Sequence, residues 1–95
     1  MTDLDERMAQ LRARFRTRAA ADRARIAAAL DQADWDEVRR LAHGLSGSGG
    51  VFGFPQVSKD AEAVEIAIDE GRDAAQVRAL GGRLLDRLAE VAQRD

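Results

Sequence analysis

The stretch LAHGLSGSGGVFGFP, residues 41–55, decides how this chain folds. It contains the only histidine of the protein, His43, and five of its eight glycines. A glycine in a helix interior costs roughly 1 kcal/mol relative to alanine, so stability gives no reason to place several of them directly after a helical pattern. The glycines therefore predict a surface that another molecule approaches closely.

The apolar spacing indicates that a helix runs from about Trp35 into this stretch and across the glycines. Its apolar face is formed by Val38, Leu41, Ala42 and Leu45. Asp34 is predicted to cap this helix, with Glu37 three residues later as in a capping box. The segment Phe52-Gly53-Phe54-Pro55 is predicted to end it, because proline disfavours helical geometry in the preceding residue and is accepted in the first turn of a following helix.

Three further segments show helical spacing of apolar residues. The first helix is predicted to be about seven turns long, and its apolar stripe, interrupted only by Asp22, consists of Leu4, Met8, Leu11, Phe15, Ala19, Ile26 and Leu30. The third helix is predicted from about Pro55 to Glu70, with Gly71 after its C-terminus. Its apolar face is formed by Phe54, Val57, Ala61, Val64 and Ile68. Asp73 is predicted to cap the fourth helix, whose apolar residues are Val77, Leu80, Leu84, Leu88 and Val91.

The connections between these four segments are short, so consecutive helices should be antiparallel. The sequence therefore predicts an all-α, up-down antiparallel four-helix bundle. Ninety-five residues suffice for one hydrophobic core but not for two, and the whole chain, residues 1–95, is predicted to be a single domain.

Composition excludes several kinds of site. The chain has no cysteine, which excludes disulfides and thiolate metal sites, and a single histidine cannot form a His-rich metal cluster. We therefore expect no metal site and no cofactor. The charged N-terminus lacks the apolar region of a signal peptide, and no apolar run approaches the ~20 residues that a membrane span requires. A cytoplasmic protein without membrane contact is expected.

The net charge of the chain is −2, but its charges are unevenly distributed. Residues 1–30 contain seven arginines and only four acidic residues, so the first helix is basic. One alternative is a nucleic-acid-binding bundle that uses Arg7, Arg12, Arg14, Arg16, Arg18, Arg23 and Arg25. The acidic overall balance weighs against it, because nucleic-acid-binding domains are usually basic, and no nucleic-acid partner is expected. A non-catalytic helical adaptor or dimerisation module is the other alternative.

Helix geometry predicts that His43 is exposed. At ~100° per residue, His43 lies almost opposite the apolar face of the second helix. Gly47 and Gly50, four and seven positions later, fall on the same face, so nothing rises beside the imidazole on that side. We call this face of His43, Gly47 and Gly50 the docking slot. A lone exposed histidine is most often without a function, whereas the shared face of histidine and small residues argues against that interpretation, and the residues alone leave both alternatives open.

The same stretch resembles the signature of the histidine-containing phosphotransfer (HPt) domain family. That signature has a phospho-accepting histidine, an apolar residue two positions later, usually lysine at three, glycine at four, serine or alanine at five and glycine at ten. The matching residues here are His43, Leu45, Ser46, Gly47, Ser48 and Gly53. A downstream segment, Ala61-Glu62-Ala63-Val64-Glu65, also resembles the family. The motifs cover the second and third helices, and the length and four-helix pattern cover essentially the whole chain.

The resemblance implies a phosphoryl carrier without kinase or ATP-binding machinery. His43 would accept a phosphoryl group and pass it between aspartates of receiver domains. The implied partners are the receiver domains of response regulators and a hybrid histidine kinase, and the receiver would bring the Mg²⁺. The carrier is expected to be a monomer. A neutral imidazole is a competent nucleophile near pH 7, which suits this role.

One position departs from the family pattern, because Ser46 stands where lysine is usual and offers a hydroxyl group but no charge. Arg39, Arg40 and Lys59 are candidates to supply a cation at the phosphate, although all three could serve solubility alone. Gly47 and Gly50 are predicted to provide clearance for the partner. Apolar contacts with the partner are predicted from Val51, Phe52 and Ile66.

Overall fold

The structure, a computed structural model, describes residues 2–93 and consists of four α-helices joined by short turns. The helices are α1 (Asp3–Asp31), α2 (Trp35–Val51), α3 (Pro55–Asp69) and α4 (Ala74–Ala92). Residues 2–93 contain no β-strand. The predicted all-α bundle is confirmed, and α2 does continue across the glycines to Val51.

The helices surround one hydrophobic core. In the bundle α1 packs against α2, α2 against α3, α3 against α4, and α4 closes the ring against α1. The largest fully buried side chains come from all four helices and are Ile26, Leu45, Leu84, Leu88, Val38, Val57, Val64 and Val91. Burial of a side chain of this size stabilises the fold by about 1.5–3 kcal/mol. These residues belong to the predicted apolar faces, which are confirmed for α2 and, apart from the half-buried Ile68 and Leu80, for α3 and α4.

Helix α1 is the longest element, with 29 residues against 17 in α2 and 19 in α4. At 1.5 Å per residue its first turns extend beyond the other helices. The predicted apolar stripe of α1 is therefore buried only from Phe15 onward, while Leu4 is 68% exposed.

The helix ends use the predicted capping residues with one difference. Asp34 accepts a hydrogen bond from the backbone N–H of Glu37, and Asp73 accepts one from Gln76 in the same way. The Glu37 carboxylate, however, bonds the Arg40 guanidinium, so the reciprocal half of the predicted capping box is wrong. A complete capping box instead joins Thr2 and Asp5 at the start of α1.

Three helices end in the same way, with a residue of positive φ just after the helix. Gly53 and Gly71 have φ of 88° and 71°, which suits glycine, whereas Ala33 after α1 has φ of 54°. At all three ends, paired backbone hydrogen bonds return to the last turn, as from Asp34 N–H to the Ala29 carbonyl at 2.9 Å. This arrangement is the Schellman motif, in which glycine is preferred because it carries no Cβ.

Ala33→Gly is therefore expected to raise the free energy of unfolding. The left-handed conformation costs an alanine about 1–2 kcal/mol, and the greater freedom of glycine in the unfolded chain offsets part of the gain. Urea denaturation should show a net gain of about 0.5–1 kcal/mol. As a matched control, Ala20→Gly at an exposed helical position should lose about 1 kcal/mol. Equal losses in both variants would show that Ala33 is not strained.

Candidate functional site

His43 lies in the middle of α2 with 70% of its side chain exposed. The neighbouring apolar residues Val38, Leu41, Ala42 and Leu45 are buried beneath it. The prediction that His43 points away from the core is confirmed. Its ring is nevertheless held in place, by a residue that the sequence analysis did not assign to the site.

That residue is Glu65 of α3, whose Oε2 lies 2.7 Å from Nδ1 of His43. The Glu65 side chain is only 14% exposed. An ionised carboxylate can only accept hydrogen bonds, so Nδ1 carries the proton and donates it. The other ring nitrogen, Nε2, is then left with its lone pair free. The hydrogen bond thus selects the tautomer whose unprotonated nitrogen is Nε2.

The Glu65 carboxylate is in turn surrounded by charge from α2 and α3. Arg39 Nη2 lies 3.4 Å from Glu65 Oε2, and Arg39 donates two hydrogen bonds to Asp69 at 2.6 and 3.1 Å. The hydrogen bonds from Arg39 lower the pKa of Asp69, so this carboxylate stays ionised near neutral pH. Of the predicted cations, Arg39 is therefore linked to His43 indirectly, because both side chains contact the Glu65 carboxylate.

The other predicted phosphate contacts are placed differently. Arg40 donates two hydrogen bonds to Glu37, which directs its guanidinium toward the start of α2. The Ser46 hydroxyl donates to the His43 carbonyl at 2.9 Å, and its proton is therefore used within the helix. Lys59 is exposed on α3, and no hydrogen bond links it to His43 within the part of the chain that the structure describes. The roles of these residues at a phosphate stay predictions.

The four glycines between His43 and Val51 differ in their surroundings. A Cβ built at Gly47 or at Gly50 would meet nothing within 4 Å, so this side of the docking slot is open space. At Gly49 a Cβ would lie 2.9 Å from the Ser58 backbone nitrogen, because α2 and α3 approach each other closely there. Packing thus explains Gly49 and gives no reason for Gly47 or Gly50.

Two of the three predicted apolar contact residues are exposed. Val51, at the end of α2, is 67% exposed, and Ile66 on α3 is 45% exposed. Phe52 is half-buried, and its ring packs against Phe15 with centroids 5.9 Å apart. Val51 therefore supplies an exposed apolar side chain at the end of the helix that carries the docking slot, whereas Ile66 lies in a groove that it shares with Ala63 of α3 and Leu80 of α4. The use of either residue by a partner stays a prediction.

Within residues 2–93, no three histidine and acidic side chains lie together as a possible metal site. None of the four helices described here is both long enough and apolar enough to cross a membrane. The arginines of α1 are partly used inside the bundle. Arg23 donates to the Leu85 carbonyl, and both Arg18 and Arg25 pair with Asp22.

Comparison with known proteins agrees with this geometry. The family model described as Hpt domain matches residues 10–94, which is most of the chain. No curated protein and no solved structure matches the chain. Hpt domains are phosphocarrier modules that interact with receiver domains in phosphorelays. A four-helix bundle with one exposed, carboxylate-bonded histidine in the signature stretch is consistent with such a module, and the match over residues 10–94 shows that the chain belongs to the Hpt domain family.

Proposed function

We propose that this protein carries a phosphoryl group on Nε2 of His43 between the aspartates of receiver domains. The observation that supports this most directly is the hydrogen bond between Nδ1 and Glu65, which leaves Nε2 of an exposed imidazole as a nucleophile. The whole chain, residues 1–95, acts as one carrier domain. It works as a monomer in the cytoplasm, and the receiver supplies the Mg²⁺.

The transfer step needs few groups from the carrier. The lone pair of Nε2 attacks phosphorus of the receiver's aspartyl phosphate, an Nε2–P bond forms, and the acyl P–O bond breaks to release the aspartate carboxylate. The imidazole gains positive charge as it does so, and the carboxylate of Glu65 at Nδ1 stabilises that charge. Phosphoryl transfer depends mainly on positioning and charge stabilisation, so this side-chain pair suffices for acceptance and the reverse step returns the group.

The partner must bring a buried aspartate close to Nε2, which requires an open approach. Gly47 and Gly50 leave that approach free, since neither carries a side chain and a Cβ at either position would meet nothing within 4 Å. Val51 offers an exposed apolar side chain at the C-terminal end of α2, and Ile66 offers one on α3. The receiver is therefore proposed to dock over α2 and α3 with the docking slot at the centre of the interface.

The proposal is tested by incubating the protein with a set of phosphorylated receiver domains. The expected result is label on this chain that is labile to acid and stable to base, as phosphohistidine is. Acid-stable label would place the phosphate on a hydroxyl group and contradict the proposal. If no receiver transfers label, and small phosphodonors also leave the chain unlabelled, the carrier function is wrong.

Glu65→Gln tests how the histidine is activated. The amide keeps the size of the side chain but removes the charge that favours the proton on Nδ1 and stabilises the developing imidazolium. A hydrogen bond to a charged group is worth about 1.5–3 kcal/mol, and the exposure of His43 places the effect at the low end. We expect the rate of phosphoryl acceptance from a small phosphodonor to fall about tenfold.

Glu62→Gln, one turn earlier on the exposed side of α3, is the matched control and should leave the rate unchanged. The pH profile separates activation from folding, because Glu65→Gln should alter the pH dependence of acceptance without lowering the melting temperature by more than a few degrees. Equal rates in the two variants would show that Glu65 does not activate His43.

A further inference from the structure

Arg18 of α1 crosses toward α2 beside the histidine, and two hydrogen bonds hold its guanidinium there. Its Nε donates to Oδ2 of Asp22 at 3.1 Å, and its Nη1 donates to the Ser48 hydroxyl of α2 at 2.9 Å. Among residues 2–93, no acceptor is bonded to its third nitrogen, Nη2. The Arg18 side chain as a whole is 44% exposed.

Asp22 is the buried partner that fixes this arginine. It interrupts the apolar stripe of α1 and is only 3% exposed, a costly position for a carboxylate unless it is paired. Both Arg18 and Arg25 pair with it, at 3.1 and 3.5 Å. Two guanidinium groups thus face one carboxylate, which leaves this side of the bundle with a net positive charge.

Gly44, the residue directly after His43, makes room for the guanidinium. A Cβ at Gly44 would lie 3.1 Å from Arg18 Nη2, tighter than ordinary van der Waals contact. The free nitrogen of Arg18 therefore lies over the backbone of α2 next to the histidine. This contact accounts for a glycine that neither the docking slot nor the packing of α2 on α3 requires.

The orientation of His43 directs its second ring nitrogen away from α3. Nδ1 is bonded to Glu65 on the α3 side of the ring. The bonding directions of the two imidazole nitrogens diverge widely, so Nε2 points away from Glu65. Arg18 contacts α2 at Gly44 and Ser48, on the side of α2 opposite to Ser46, whose carbonyl accepts a hydrogen bond from Ser58 of α3. A phosphoryl group on Nε2 would therefore project toward the face that Arg18 Nη2 reaches.

The other cations near His43 are less suited to a phosphate. Arg39 lies on the α3 side and pairs with two carboxylates, Asp69 and Glu65, so the net charge of this group is negative. The Arg40 charge is matched by Glu37 through two hydrogen bonds. Among these arginines, the pair of Arg18 and Arg25 has positive charge in excess, because it shares the single carboxylate of Asp22, and Arg25 lies two turns farther along α1. Lys59 is exposed on α3, the side from which Glu65 bonds Nδ1 of His43.

We propose that Arg18 is the cation that contacts the phosphoryl group on His43. It would take the role of the lysine that the family usually has at the position of Ser46. The buried Asp22 and the Ser48 hydroxyl hold the guanidinium, and Gly44 admits it. This inference rests on the proposed carrier function. Nη2 donates a charge-assisted hydrogen bond to a phosphoryl oxygen, which favours the phosphorylated state of the carrier over that of the receiver.

The test compares Arg18→Gln with Arg25→Gln, since both arginines pair with Asp22 but only Arg18 lies beside His43. Each phosphorylated variant is mixed with an unphosphorylated receiver, and the equilibrium distribution of the phosphoryl group is measured. We expect Arg18→Gln to shift the equilibrium toward the receiver by about fivefold, and Arg25→Gln to leave it unchanged. The shift should shrink at 1 M salt, because an accessible charge pair is screened.

Arg18→Gln removes the closer of the two partners of buried Asp22, so the double variant Arg18→Gln/Asp22→Asn, which also removes the buried charge, should show the same shift with a stable bundle. Equal equilibria in the Arg18 and Arg25 variants would overturn the assignment, as would a shift in Arg40→Gln alone. If the wild-type protein takes no phosphoryl group from any donor, the carrier function itself fails, and this result is distinct from a failure of Arg18 alone.

Discussion

A His43→Gln variant is expected to lose phosphoryl acceptance completely while the bundle keeps its stability. His43 is the only imidazole in the chain, and glutamine offers no nitrogen lone pair that could attack phosphorus. The side chain is 70% exposed and contributes nothing to the core, so the free energy of unfolding should change by about 0.5 kcal/mol or less. Labelling by a phosphorylated receiver and thermal unfolding measure the two effects.

The His43→Gln variant also distinguishes a reactive histidine from a structural one. Glutamine can still donate a hydrogen bond to Glu65, so the contact between α2 and α3 is preserved. A large fall in melting temperature would mean that the bond from His43 to Glu65 serves the fold. Label on the variant would mean that another residue accepts the phosphoryl group.

Gly47→Leu is expected to change stability and transfer in opposite directions. Leucine is the better helix former by about 0.5–1 kcal/mol, and a side chain at Gly47 meets open space, so the melting temperature should rise. The same side chain would stand in the docking slot, one turn from His43, where the receiver's aspartate must approach. Transfer from a receiver should therefore fall at least tenfold, whereas acceptance from a small phosphodonor should fall much less.

Gly49→Ala, two residues along the same helix, is the matched contrast. Its Cβ would lie 2.9 Å from the Ser58 backbone nitrogen and 3.0 Å from the Phe54 carbonyl oxygen, neither of which can move without shifting α3. The expected result is a loss of about 1–3 kcal/mol in the free energy of unfolding. If Gly47→Leu instead destabilises the bundle, the glycine serves packing; if it leaves transfer unchanged, the receiver does not approach over this face.

The sequence was sufficient for features that depend on neighbours along the chain. Proline at position 55 and the caps Asp34 and Asp73 predicted helix ends that the structure confirms, because capping and turn chemistry act within a few residues. The exposure of His43 followed from its angle to the apolar face of α2, which the 3.6-residue period determines. The error at Glu37 was also local, since its carboxylate had two acceptable partners, the backbone of Asp34 and the side chain of Arg40.

Tertiary packing decided which side chains meet across helices. The residues that contact His43 and its neighbour come from α3 and α1: Glu65 bonds its ring, and Arg18 lies over Gly44. Glu65 belongs to the segment that resembles the family motif. The apolar periodicity predicts that Glu65 lies on α3, but it does not predict which residue of α2 Glu65 contacts. That pairing depends on the axial offset between packed helices, which the fit of buried side chains determines together with the close approach at Gly49. The sequence by itself thus determined the helices and the exposed histidine, and the packing of the helices decided which charges surround it.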